Sequence, residues 1–136
     1  MSQNLTIQPT ILLIEPDDAA RPVLMDNLRR WGYSLVVALD EADAIGRTKD
    51  RGHSFDLLLM NQFRQSIEHF IAVGKDIRQQ AGLPSSTPIV VMAEHYGAEL
   101  EGQNLQVGEN EYVTYLEDGE QLKCLLYQLC SVLEER

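Results

Sequence analysis

The chain has 136 residues, is 44% hydrophobic and carries a formal net charge of −10, which suffices for one ordinary core and is too short for two typical domains. That acidity repels a phosphate backbone and an anionic membrane surface, so neither nucleic acid nor membrane is expected as a direct partner. No apolar run nears the roughly 20 residues that span a bilayer, and Met1-Ser2-Gln3-Asn4 lacks the basic start and apolar stretch of a secretion signal, which points to the cytoplasm.

Beyond an N-terminal extension, residues 1–9, short apolar runs alternate with stretches of helical periodicity. Ile11-Leu12-Leu13-Ile14 follows Pro9 and reads as a first strand covered on both faces of a parallel sheet. Across residues 18–31, Val23, Leu24, Leu28 and Trp31 fall on one helical face, with Pro22 tolerable in the first turn. Gly32 ends that helix, residues 33–39 form a second strand, and residues 41–49 a second helix with Ala42, Ile45 and Thr48 inward, closed by Gly52. Residues 55–60, Phe-Asp-Leu-Leu-Leu-Met, are a third buried strand, and residues 66–80 a third helix with Ile67, Phe70, Ile71, Gly74 and Ile77 inward. A loop over residues 82–88, with two prolines and two serines, leads into a fourth strand, Ile89-Val90-Val91-Met92. Residues 93–108 contain Gly97 and Gly102, with only Ala98, Leu100, Leu105 and Val107 as apolar support, which predicts a short, frayed fourth helix. Tyr112-Val113-Thr114-Tyr115 is a fifth strand, and residues 120–133 a fifth helix burying Leu122, Leu125, Leu126, Leu129 and Leu133.

Five strands alternating with five helices specify a doubly wound α/β fold over residues 10–136, with one five-stranded parallel sheet and helices on both faces. Ligands of such folds bind at the carboxyl ends of the strands, so function is to be sought just after Ile14, Met60, Met92 and Tyr115. With three residues after Leu133, no output domain is expected. Cys124 and Cys130, six residues apart, lie about 240° apart around their helix, which argues against a disulfide. His53, His69 and His95 are scattered and have no metal-ligand spacing.

After the first strand comes Glu15-Pro16-Asp17-Asp18, three acids where a crevice is expected. Clustered carboxylates suit a hard cation such as magnesium, and they equally suit capping of the following helix, whose N-terminus favours acids.

In order and spacing, the chain from Ile11 to about Leu133 resembles the receiver domain of two-component response regulators. The resemblance rests on the strand ending in acids (residues 11–18), the Phe-Asp-Leu run ending at Asn61, Ile77-Arg78, Thr87-Pro88-Ile89-Val90-Val91, and Gly108-Glu109-Asn110-Glu111-Tyr112. It implies a flavodoxin-like fold in which an aspartate after the third strand accepts a phosphoryl group. Two acids after the first strand hold magnesium there, a Thr or Ser follows the fourth strand, and a Lys lies in the fifth. Each part serves the chemistry, because the carboxylate attacks while metal and lysine offset the charge developing on the phosphoryl oxygens.

This chain departs from that pattern at the nucleophile, second-acid, hydroxyl and lysine positions. Asn61 stands where the nucleophile is expected, and an amide is a far poorer nucleophile than a carboxylate and gives a metal no charge. Glu15 matches the first acid, Pro16 falls on the second, and Asp17 and Asp18 remain as a remnant acidic pocket. Ala93 takes the hydroxyl position, Tyr115 the lysine, and Leu116 the proline that usually follows it. No cofactor is expected, residual magnesium at Glu15 and Asp17 being the one candidate. Tyr112 matches the aromatic that reports the state of the site in relatives, and is otherwise a half-buried strand tyrosine.

The leading expectation is a phosphorylation-independent module, a pseudo-receiver and not an enzyme, that docks to a protein partner such as a sensor kinase or an output protein. The expected surface is the face made by the fourth helix, fifth strand and fifth helix, around Tyr112, Tyr115 and Leu116, with homodimerisation through it left open. Trp31 and Tyr33 form a second candidate surface, though both suit a core. Two other classes compete with it: a phosphorylatable regulator using Asp17, Asp18 or Asp56, and a small flavodoxin-like ligand-binding protein. The latter needs a glycine- or hydroxyl-rich loop where Glu15-Pro16-Asp17-Asp18 stands.

Overall fold

The computed structural model describes residues 6–51, 54–131 and 133–134. Gly52, His53 and the first five residues lie outside this range. A six-stranded sheet has the order β3-β2-β4-β5-β7-β6, built from β2 (Thr10–Ile14), β3 (Ser34–Ala38), β4 (Leu57–Asn61), β5 (Ile89–Met92), β6 (Asn104–Gln106) and β7 (Glu111–Thr114). All neighbours are parallel except β6, which runs antiparallel to β7. Two short segments, β1 (Thr6–Ile7) and β8 (Leu133–Glu134), pair antiparallel beside it.

The continuous apolar runs divide by alternation, since successive strand residues face opposite sides. Ile11, Leu13, Leu57, Leu59, Val90 and Met92 meet Leu28 of α1 (Ala20–Arg30) and Leu122, Leu125 and Leu126 of α4 (Gly119–Leu129). Leu12, Ile14, Leu58, Met60, Ile89 and Val91 meet Ala44 of α2 (Glu41–Arg51) and Val73 and Ile77 of α3 (Ile67–Gln80). Each fully buried Leu or Ile contributes about 1.5–3 kcal/mol, so these two layers hold the domain together. α3 starts where Ser66 accepts a hydrogen bond from the His69 N–H, and α4 where Asp118 accepts one from Gln121. Among the described residues, no helix is long and apolar enough to cross a membrane.

Four sequence expectations need correction. First, no helix forms between β5 and β7. Gly102 turns the chain at φ 88°, where a glycine is favoured, and residues 104–106 pair with β7 instead. Tyr115 N–H donates to Gln103 O and Val107 N–H to Glu111 O, so the pairing satisfies backbone groups that a helix lacking an apolar stripe would have to satisfy without core burial. Second, the last helix stops at Leu129, and Leu133 belongs to β8. Third, in α2 Ile45 and Thr48 face inward as expected, but the alanine that joins them is the fully buried Ala44, whereas Ala42 is exposed. Fourth, neither Asp17 nor Asp18 caps α1 with its side chain. The cap residue is Ala19, without a side-chain bond. Asp17 Oδ1 instead accepts from the Ala19 N–H at 2.9 Å, and Asp18 pairs with Arg21. The core reading of Trp31 and Tyr33 prevails over the surface one: Tyr33 is buried, its hydroxyl donating to Cys130 O at 2.8 Å, and Trp31 packs against the same cluster, its carbonyl O accepting from Tyr127. Cys124 and Cys130 are both free.

Candidate functional site

The parallel register brings Ile14, Met60 and Met92 level, so Glu15, Asn61 and Ala93 emerge together at the carboxyl edge of the sheet. These three line one cavity of about 440 Å³. Its remaining wall is largely apolar, with Val23 and Leu24 from α1 and Tyr96 and Leu116 from the later segments.

Glu15 is the chemical centre of this edge. It is only 1% exposed, and its Oε1 accepts from the Asn61 amide Nδ2 at 2.8 Å while Oε2 accepts from the Asp17 N–H at 3.2 Å. Burial pushes its carboxyl above the ordinary value of 4.5. The bonds from Asn61 and the Asp17 backbone oppose that rise, the Asp17 charge adds to it, and Arg21 reduces it. Arg21 donates to Glu15 O at 2.8 Å as well as pairing with Asp18.

A divalent cation needs free carboxylate oxygens converging on one point. Here both Glu15 oxygens already accept hydrogen bonds, Asp17 closes a local turn on Ala19, and Asp18 is turned to Arg21. Among the described residues, no three His, Cys, Asp or Glu side chains form a group that could hold a metal. The residues do not fit the magnesium site that the receiver resemblance implies, and no phosphoryl-transfer step is built on one.

The other positions read from sequence fall as follows. Ala93 N–H donates to Thr114 O, which joins β5 to β7 and leaves a methyl side chain at the edge. Tyr115 stacks edge-on against Tyr96, ring centroids 5.4 Å apart, and Tyr96 donates its hydroxyl hydrogen to Leu116 O. Tyr112 is half-buried and packs against the α1–α4 core layer. Asp56 lies at the far end of β4, where Oδ2 accepts from the Thr10 N–H at 2.8 Å, a strand length of about 16 Å from the crevice.

Two contributors went unread in the sequence. Tyr96 closes the cavity, and Gln62 bridges two loops, accepting from the Glu94 N–H at 2.9 Å and donating to Gln65 O at 2.8 Å. Neither sits in a periodic pattern or matches a motif, so no sequence signal marks them.

A pH test follows from Glu15. Because its folded pKa lies above the unfolded value, the native state binds the extra proton, and its contribution falls as pH rises from 4.5 through the folded pKa. Relative to the natural chain, Glu15→Gln is therefore expected to become progressively more stable over that window. Urea midpoints of both proteins from pH 4 to about 7 measure the difference, and a pH-independent difference would refute the buried charge.

No family model matches the chain. It is 28% identical over 103 residues to the transcriptional regulatory protein ZraR of Salmonella typhimurium, a match covering 76% of this chain and 22% of that protein. The chain thus spans about a fifth of the curated relative's length. Among solved structures it is similar to the signal receiver domain of an HD domain-containing protein from Pseudomonas fluorescens Pf-5, with a TM-score of 0.65 and 18% identity over 90% of this chain and 94% of that one. The chemotaxis protein CheY4 of Vibrio cholerae gives a TM-score of 0.64 at 18% identity, over 90% and 99% of the two chains. A response regulator receiver protein from Sinorhizobium medicae WSM419 gives 0.63, also at 18%, over 90% and 94%. The fold is the flavodoxin-like α/β receiver fold, with β6 as an added antiparallel strand.

Proposed function

We propose that this chain is a receiver-like signalling module of a two-component-type pathway that acts by docking to a protein partner and accepts no phosphoryl group. The receiver fold and the likeness to a transcriptional regulatory protein support the pathway. The observation that carries the rest is the hydrogen bond from Asn61 Nδ2 to Glu15 Oε1. The side chain in the nucleophile's place is a donor, and it occupies the carboxylate that would otherwise face a cation.

In this reading Glu15, Asp17 and Asp18 are a structural remnant of an acidic pocket, and Ala93 and Tyr115 replace its hydroxyl and its cation. Residues 10–136 act as one cytoplasmic, non-enzymatic domain, whose partner is a sensor kinase or an output protein. Tyr112, held in one orientation by the core, and Leu116 belong to the working face, now formed by β6, β7 and α4. That face is also the route to any homodimer.

Incubation with magnesium and acetyl phosphate, read by intact mass, tests the proposal. The expected result is an unmodified chain at donor concentrations that fully label a receiver carrying the aspartate. A phosphoryl adduct on Asp17, Asp18 or any other carboxylate of the crevice would sink it.

A further inference from the structure

We propose that the crevice between Glu15, Asn61 and Tyr96 binds a guanidinium group carried on a short apolar stem, with the Glu15 carboxylate as its counter-charge. This deepens the reading above and rests on it, because the crevice then serves recognition where a phosphoaccepting receiver would do chemistry.

A buried carboxylate is ordinarily matched by a cation, since taking a charge out of water is costly. Glu15 is buried, yet the ion pairs among the described residues lie elsewhere: Asp18 with Arg21, Asp26 with Arg30, Asp43 with Arg47 and Glu111 with Arg78. Its two partners, the Asn61 amide and the Asp17 N–H, are neutral donors. Arg21 is close enough for its field to act on Glu15, but its guanidinium is committed to the Glu15 carbonyl and to Asp18. From residue 79 to residue 122, a stretch that includes the Ala93, Tyr96 and Leu116 wall, the chain has no Lys or Arg.

The cavity has room for the missing cation. Its volume of about 440 Å³ falls within the range of small-ligand sites. A carboxylate oxygen can accept two hydrogen bonds, so each oxygen of Glu15 keeps one acceptor position. Asn61 lines the same cavity, and its Oδ1 accepts no hydrogen bond from the described residues.

The lining selects the kind of cation. Magnesium needs several converging oxygens and holds its water tightly, whereas the walls here include Val23, Leu24, Met92 and Tyr96. A guanidinium is weakly hydrated, presents a planar fork of donors and stacks on aromatic rings. Its fork can serve Glu15 and Asn61 Oδ1 together, the Tyr96 ring offers a stacking surface, and Val23 and Leu24 of α1 suit an aliphatic stem. An ammonium is a compact, strongly hydrated charge, which the same walls would strip of water for fewer bonds. An arginine side chain of a protein partner and a small free guanidine present the same chemistry.

The probe is n-butylguanidinium, titrated into the isotope-labelled chain at about pH 8 and followed by amide NMR, with n-butylammonium and the neutral isostere n-butylurea as controls. A charge-assisted contact and a short apolar stem predict a Kd of about 1 mM. Saturable shifts are expected at residues 15, 23, 61, 93 and 96, with both controls weaker and the urea by at least about tenfold. Glu15→Gln, which keeps the shape and removes the charge, is expected to weaken binding by about tenfold or more. Ala93→Leu, which fills the cavity and leaves the charge, is expected to do the same. Amide dispersion checks the folding of both variants, and Glu15→Gln carries the test alone if Ala93→Leu does not fold. The blocked peptide acetyl-Ala-Arg-Ala-amide separates the sources. Shifts at the same residues assign a partner's arginine, and their absence beside binding of the free guanidinium assigns a small molecule.

No saturable shift up to about 50 mM probe would overturn the inference. So would an equal response in folded Glu15→Gln, or a control that binds as tightly as the guanidinium. An unphosphorylated chain that binds no guanidinium loses this inference alone, whereas a chain labelled by acetyl phosphate loses the reading above.

Discussion

Arg78→Ala is expected to lower the unfolding free energy by about 3–5 kcal/mol, the usual cost of leaving one member of a buried ion pair without its partner. Arg78 Nη2 lies 2.8 Å from Glu111 Oε2, with side chains 12% and 6% exposed, and Nη1 also donates to Thr87 O at 2.9 Å. These bonds tie the end of α3 to the loop before β5 and to β7. Alanine would strand a buried carboxylate and a carbonyl together. Arg78→Met combined with Glu111→Leu should cost much less than the sum of the single changes, because packed apolar groups can replace a buried pair at little net loss. Urea unfolding of the two singles and the double closes the cycle. Additive losses would contradict the account of the pair.

Asn61→Asp is the second large effect, and its sign separates this chain from a phosphoaccepting receiver. The substitution removes the donor 2.8 Å from Glu15 Oε1 and sets a second carboxylate against one that is already buried. Like charges sharing a site force one of them to stay protonated. The variant is expected to lose about 2–4 kcal/mol at neutral pH. Since the native pair would hold a proton that the unfolded chain releases, the loss should shrink as pH falls toward about 4. The same variant is expected to take no phosphoryl group from acetyl phosphate, because Ala93 and Tyr115 still supply neither hydroxyl nor cation at the edge. A stable, readily phosphorylated Asn61→Asp would mean that the asparagine alone silences an otherwise working site.

Much of the fold could be read from sequence, for a definite reason. The continuous runs at residues 11–14, 57–60 and 89–92 are buried on both sides, which leaves a strand in a covered parallel sheet as the economical reading. The stripe of Leu122, Leu125 and Leu126 likewise has one solution. Where the pattern is thin, sequence reasoning erred. Residues 93–108 were expected to form a weak helix, but the feature that decides their path is non-local pairing of residues 104–106 with β7. In α2, Ala42 and Ala44 are chemically identical, so only the rotation of the helix on the sheet distinguishes them.

The site was legible to a different degree. The receiver resemblance put Glu15, Asn61 and Ala93 at strand ends, and the register sets them along one cavity. That Asn61 and Glu15 bond directly depends on two side-chain rotamers, and sequence spacing does not carry that information. The engagement of Asp17 and Asp18 away from a common centre is equally a matter of loop geometry.

The most direct measurement is an amide NMR titration of the natural chain with magnesium and then beryllofluoride, a phosphoryl mimic that needs an aspartate and a metal to bind. The account predicts no saturable change at Asn61, Ala93 or Tyr115. Saturable shifts centred on those residues would show that the crevice still answers a phosphoryl group, and would contradict a module that works by docking alone.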